Sequence, residues 1–173
     1  MRVTKEFRSR IVGFHSALDR MLSVLLAFLM AGALFNVVWQ IASRYGLGDP
    51  SLWTDELARY LLVWLGILGA AAALGRNAHL AVDILPRDLS GRFLVPLRVG
   101  CDLLVGVFAA SVLVFGGSRL VKMSFDLGQS SPAMGIPMGF VYGVIPMAGL
   151  LMVFFSVHSL VLHASEEGGS GDA

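Results

Sequence analysis

Four stretches of this sequence are apolar for long enough to cross a bilayer: Met21–Ser43, Leu57–Leu74, Val99–Gly117 and Gly135–Leu162. A hydrocarbon core of about 30 Å, crossed at about 1.5 Å per residue, asks for roughly twenty such residues. Lipid offers the backbone no hydrogen-bond partner, so runs of this length must be helices. Hydrophobic residues make up 56% of the 173 and charged residues only 14%, against about 25% charged in an ordinary soluble domain. The expected fold is an all-α integral membrane protein with four transmembrane helices.

The connections, Arg44–Glu56, Gly75–Arg98 and Ser118–Met134, are too short to hold a soluble domain. Net charge is +1 and the basic residues are scattered or near the membrane, so no nucleic-acid partner is expected. The single cysteine, Cys101, excludes an internal disulfide framework and a CxxC metal knuckle. Five basic residues precede the first run, and Ala31-Gly32-Ala33 resembles a signal-peptidase site. The apolar run continues past it to Ala42, so a retained anchor is expected.

Lys and Arg in the short connections set orientation. Residues 1–20 carry five and the second connection four (Arg76, Arg87, Arg92, Arg98), against four on the other side (Arg44, Arg59, Arg119, Lys122). Both termini are therefore expected in the cytoplasm, with 44–56 and 118–134 facing out. Phe7, Ile11, Phe14, Leu18 and Leu22 fall on one helical stripe among basic residues. That predicts an amphipathic helix over 1–20, lying on membrane lipid or in a partner's groove. A four-helix membrane domain should follow over 21–163. Within it, Ala81–Arg98 reads as a short interfacial helix starting near Pro86, and 164–173 reads as a disordered polar tail.

Small residues mark close helix packing. Gly66 and Ala70, with Gly69 and Ala73, do so in the second run, and Gly135, Gly139 and Gly143 are spaced for one face of the fourth. Pro137 suits a first helical turn, and Pro146 should kink the helix and free a carbonyl. Charges near spans need a reason. Asp55, Glu56 and Arg59 share a helix face and can pair, as can Arg98 and Asp102. Either set is a local ion pair or fixes the register of another subunit. There is no phosphate-binding loop, no HExxH and no nucleophile–base pair, so the chain reads as neither an enzyme nor a complete transporter. His79, His158 and His163 leave an alternative open, a haem- or quinone-associated membrane anchor of a respiratory enzyme.

Three blocks, in this order and spacing, carry a family resemblance: WTDELARYLLVWLGILGAA (Trp53–Ala71), RNAHLAVD (Arg76–Asp83) and SPAMGIPMGFVYGVIPMAG (Ser131–Gly149). The chain resembles the small membrane subunit, the DctQ-like small permease, of tripartite ATP-independent periplasmic (TRAP) transporters. The resemblance implies a bacterial inner-membrane protein with no cofactor or metal. It implies two partners, a large permease subunit and a periplasmic solute-binding protein. The large subunit would carry the sodium and substrate sites and move like an elevator, with the small one packed on its static scaffold. The substrate would be a carboxylate-bearing organic anion. Trp53, Glu56, Arg59 and Trp64 would then meet the large subunit near the periplasmic face, and His79 and Asp83 near the cytoplasmic face. The Gly135, Pro137, Gly139 and Gly143 segment is a further candidate seam. Asp49, Ser51, Asp126 and Gln129 are candidates for touching the binding protein.

Overall fold

The structure, a computed structural model, describes residues 2–48, 51–76 and 91–167, with side chains over 16–46, 48, 51–76 and 99–160. Helix α1 runs from Arg2 to Ala42 without a break and widens into a π-helical turn, Ser43–Leu47, ended by Gly48 at φ +71°. Glycine ends such a turn because a side chain disfavours that left-handed backbone. Helix α2 covers Leu52–Gly75 and α3 covers Gly91–Phe108. A π-helical segment, Ala109–Gly116, joins α3 to α4, Gly117–Asp126. The chain then makes a turn, a short helix α5, Met138–Tyr142, and the last helix α6, Val144–Glu167.

Four helical stretches among the described residues are long and apolar enough to cross a membrane: Ser16–Gly46, Leu52–Gly75, Val99–Asp126 and Met138–Leu160. The second and third are longer than the apolar runs alone suggest, because polar helical turns extend them at one end. The helix leading to the third span begins at Gly91. Most of the expected interfacial helix over Ala81–Arg98 lies outside the described residues, as does the tail beyond residue 167.

The helices form two hairpins. Helix α1 packs mainly on α2, while α3, the π segment and α4 pack on α5 and α6; α2 and α6 join the pairs. At that junction Leu22, Leu68, Ala71, Ala72, Val144 and Ala148 form the buried core, flanked by Trp64 and Ile67. Small side chains at Ala71, Ala72 and Ala148 let the backbones approach, which is how helices associate where lipid removes the hydrophobic drive. The Gly66, Gly69, Ala70 and Ala73 strip is not part of this contact. Among the described residues no atom lies within 4 Å of a Cβ built on Gly66 or Gly69, so this small-residue face of α2 points away from the other described helices.

The second hairpin uses glycine differently. A Cβ on Gly149 would stand 2.7 Å from Leu113 Cβ, and one on Gly117 2.8 Å from Ile145 Cγ2. Leu113 of the π segment thus fits a notch on α6 at Gly149, and Ile145 of α6 fits one on α4 at Gly117. One buried carboxyl group sits here. Asp102 is fully buried, its carboxylate accepts a 2.6 Å hydrogen bond from Ser159, and its carbonyl accepts another from Ser156. The side chain of Arg98, its expected partner, lies outside the described residues.

Candidate functional site

Polar side chains with long-range partners gather at both ends of the bundle, and the end where α2 begins and α4 ends joins them to a structured turn. Helix α4 stops in a Schellman motif: Gly128 N–H donates to Phe125 O (3.0 Å) and Gln129 N–H to Ser124 O (3.0 Å). Gly128 takes φ +59°, and the Gln129 side chain accepts the Ser124 hydroxyl at 3.1 Å. A one-pair antiparallel bridge follows, Ser130 opposite Pro137. Met138 N–H donates to Gln129 O and Ser131 N–H to Ile136 O, both at 2.9 Å. Gly135, at φ +68°, closes the turn with its N–H on Ser131 O, and the Ser131 hydroxyl accepts Met134 N–H at 3.1 Å. Much of the turn's backbone is thus paired within the turn itself.

This corrects the reading of Gly135, Gly139 and Gly143 as one helical face. Gly135 lies in the turn and Pro137 caps α5, so the helix starts only at Met138. Gly143 separates α5 from α6. Only Gly139 has a close-packing role: a Cβ there would fall 2.4 Å from the Phe125 ring. The break follows from Pro146, which has no N–H for the Tyr142 carbonyl and is tolerated only in the first turn of a new helix. Trp64 supports the break from α2, its indole N–H donating to Val141 O at 3.1 Å.

Glu56 fastens the turn. It is buried on α2; one carboxylate oxygen accepts Ala133 N–H at 3.0 Å and the other accepts the Tyr60 hydroxyl. That hydroxyl also lies 3.3 Å from the Met138 sulfur. The expected sharing of Arg59 by Asp55 and Glu56 is therefore resolved. Arg59 pairs with Asp55, four residues back, and both side chains are exposed. Glu56, one residue on and so about 100° further round the helix, faces inward. Beside it, Asn36 of α1 donates to Thr54 O at 2.8 Å, and the hydroxyls of Ser43, Ser51 and Thr54 form a chain with 3.3 and 2.8 Å steps. Asn36, Ser43 and Thr54 are buried. All four helical stretches are thus tied together at this end.

What remains outward here is Trp53, Asp55, Arg59 and the Asp126–Ser130 rim of the turn, with Tyr45 and Leu52 beside them. Asp49, His79, Asp83 and the side chain of His163 lie outside the described residues. His158 is half-buried and stacks on Phe154, ring centroids 6.4 Å apart. Spacing could have found the Glu56–Tyr60 bond, four residues apart on a helix. Nothing local in the sequence pointed to Ala133, Asn36 or the serines around Asp102.

Residues 33–166 match the profile of the family described as tripartite ATP-independent periplasmic transporters, DctQ component. The chain belongs to this family. It is 32% identical over 130 residues to the sialic acid TRAP transporter small permease protein of Vibrio cholerae, covering 73% of this chain and 71% of that one. A putative TRAP transporter small permease protein of Haemophilus influenzae is 26% identical over 144 residues, 83% of this chain and 88% of its own. The isethionate TRAP transporter permease protein of Oleidesulfovibrio alaskensis is 32% identical over 136 residues, which are 73% of this chain but 21% of that protein. This chain is accordingly a DctQ-like small permease, a multi-pass protein of the inner membrane, and its relatives are transporter subunits rather than enzymes.

Proposed function

We propose that this DctQ-family chain braces a large permease subunit, which takes up an organic anion with sodium after delivery by a periplasmic binding protein. One observation carries the pairing: in the O. alaskensis relative the matching segment is 21% of a single permease protein. A segment fused to four times its own length of permease is a segment that works against it. The shape of this chain supports the same reading, since in each span's most apolar stretch only 11–33% of residues are buried by the rest of the chain. The relatives named for sialic acid and isethionate share an anionic substrate, a carboxylate in one and a sulfonate in the other. Organic anion covers these two better than carboxylate alone, while a relative named for ectoine, a zwitterion, shows that the class varies within the family.

In this reading both termini are cytoplasmic and the Glu56 end faces the periplasm. Trp53, Arg59 and the open small-residue face of α2 meet the large subunit. Glu56, Trp64 and Gly139 act one step back, by holding the turn that Pro137 starts to close. The rim from Asp126 to Ser130 is offered to the binding protein, and His79 and Asp83 serve the cytoplasmic side.

The test is to extract the tagged chain from its native membranes in mild detergent and identify what accompanies it by mass spectrometry. A permease of many spans is expected, held less well by Arg59→Ala and Trp53→Ala. A flavin or haem protein in its place refutes the assignment of the partner.

A further inference from the structure

The opposite end of α1 carries a groove that no described residue fills. Its volume is about 730 Å³, and Ala17, Arg20, Met21, Val24 and Phe28 line it. Met21, Val24 and Phe28 are 70%, 65% and 76% exposed, so the chain itself leaves this wall uncovered. Arg20 makes no ion pair or side-chain hydrogen bond among the described residues, whereas the neighbouring carboxylate, Asp19, is taken by Arg76 at 2.9 Å. Arg76 is held further by the Ser23 hydroxyl. Among the described residues, two guanidiniums and one carboxylate leave this corner one positive charge in excess, on Arg20.

We propose that the groove binds one anionic phospholipid, its phosphate on the Arg20 guanidinium and an acyl chain along Met21, Val24 and Phe28. Depth fits, because Arg20 stands at the start of a membrane-spanning stretch and Phe28 lies about 12 Å further along the axis at 1.5 Å per residue. Chemistry fits, because a guanidinium presents paired donors to phosphate oxygens, and its stem packs on apolar surface while the charge stays at the interface. A zwitterionic head would bring its own cation to a corner that already has an uncompensated one. The contrast within the molecule is the smaller groove of about 270 Å³ at the other end, between Leu29, Leu57, Trp64 and Phe140. It is lined without any charged residue and has nothing to select a headgroup.

The experiment is native mass spectrometry of the whole chain in detergent, with equal amounts of phosphatidylglycerol and phosphatidylcholine of matched acyl chains. An interfacial arginine favours an anionic lipid by about five-fold, so the first lipid adduct should show that ratio. Arg20→Gln should bring the ratio close to one. Arg119→Gln, an equal charge loss on the exposed surface of α4, should leave it intact. Val24→Trp, at an exposed position, should lower the adduct of both lipids by obstructing the acyl chain, with helical content unchanged. The proposal is overturned if the wild-type ratio is one, if Arg20→Gln keeps it, or if Arg119→Gln lowers it equally.

Discussion

Gly149→Ala tests the packing of the second hairpin. Gly149 is buried where α6 crosses the π segment, and an added Cβ would meet Leu113 Cβ at 2.7 Å, Val114 Cγ2 at 3.0 Å and Val114 N at 3.1 Å. Two of these three atoms are fixed to the backbone, so no rotamer change makes room and the helices must separate. Overpacking of this kind costs about 1–3 kcal/mol. Alanine recovers about 0.8–1 kcal/mol of helix propensity over glycine, which leaves a net loss of about 0–2 kcal/mol. Gly66→Ala is the internal standard, because it has the same propensity gain and nothing within 4 Å. The two variants should differ by about 1–3 kcal/mol, with Gly66→Ala the more stable. Titrating dodecyl sulfate into mild-detergent micelles, followed by far-ultraviolet circular dichroism, measures the difference. A Gly149→Ala protein that unfolds at the same or higher dodecyl sulfate than Gly66→Ala refutes the close approach of these helices.

Two other substitutions separate what holds the helices from what shapes their ends. Asp102→Ala removes the acceptor of the Ser159 bond and should cost about 1.5–3 kcal/mol in the same titration; Asp102→Asn keeps an acceptor oxygen, and equal losses in the two would show that this bond contributes nothing. Trp64→Phe keeps the ring in the core but removes the donor to Val141 O, a loss of about 0.5–1.5 kcal/mol. Amide exchange should then quicken around Gly143 and nowhere else, and an unchanged rate there would mean that the indole does not support the break.

The sequence made the four spans legible because lipid leaves the backbone one solution, the helix, and length decides which runs qualify. Proline chemistry placed a helix start at Pro137, which caps the helix rather than lying in its first turn, and a disturbance near Pro146. Spacing failed at Gly135–Gly143, where a four-residue period presumed a continuous helix. The turn won because Gly135 at φ +68° and two ladder bonds satisfied the backbone in another way. It also left the Asp55–Glu56–Arg59 group undecided. Helical spacing allows both carboxylates to reach Arg59, and only burial, supplied by residues 77 positions away, turns Glu56 inward. The Asp102 clasp was invisible for the same reason, since its serines are more than 50 residues off.

In the proposed assembly the two ends of the molecule do different work. At the Glu56 end polar groups from all four helical stretches are matched to one another, which removes the freedom that docking would otherwise have to freeze. Glu56 is the piece whose loss separates rigidity from contact, since it touches Ala133 and Tyr60 inside the chain rather than presenting itself outward. Glu56→Ala should release the turn, seen as faster amide exchange at Ala133, and lower binding-protein-dependent uptake, while a large subunit held by Arg59 and Trp53 still co-purifies. Arg59→Ala should do the reverse, weakening co-purification with the Ala133 amide still protected. If both variants lose the large subunit equally with the turn intact in each, Glu56 acts as an interface residue and not as a latch.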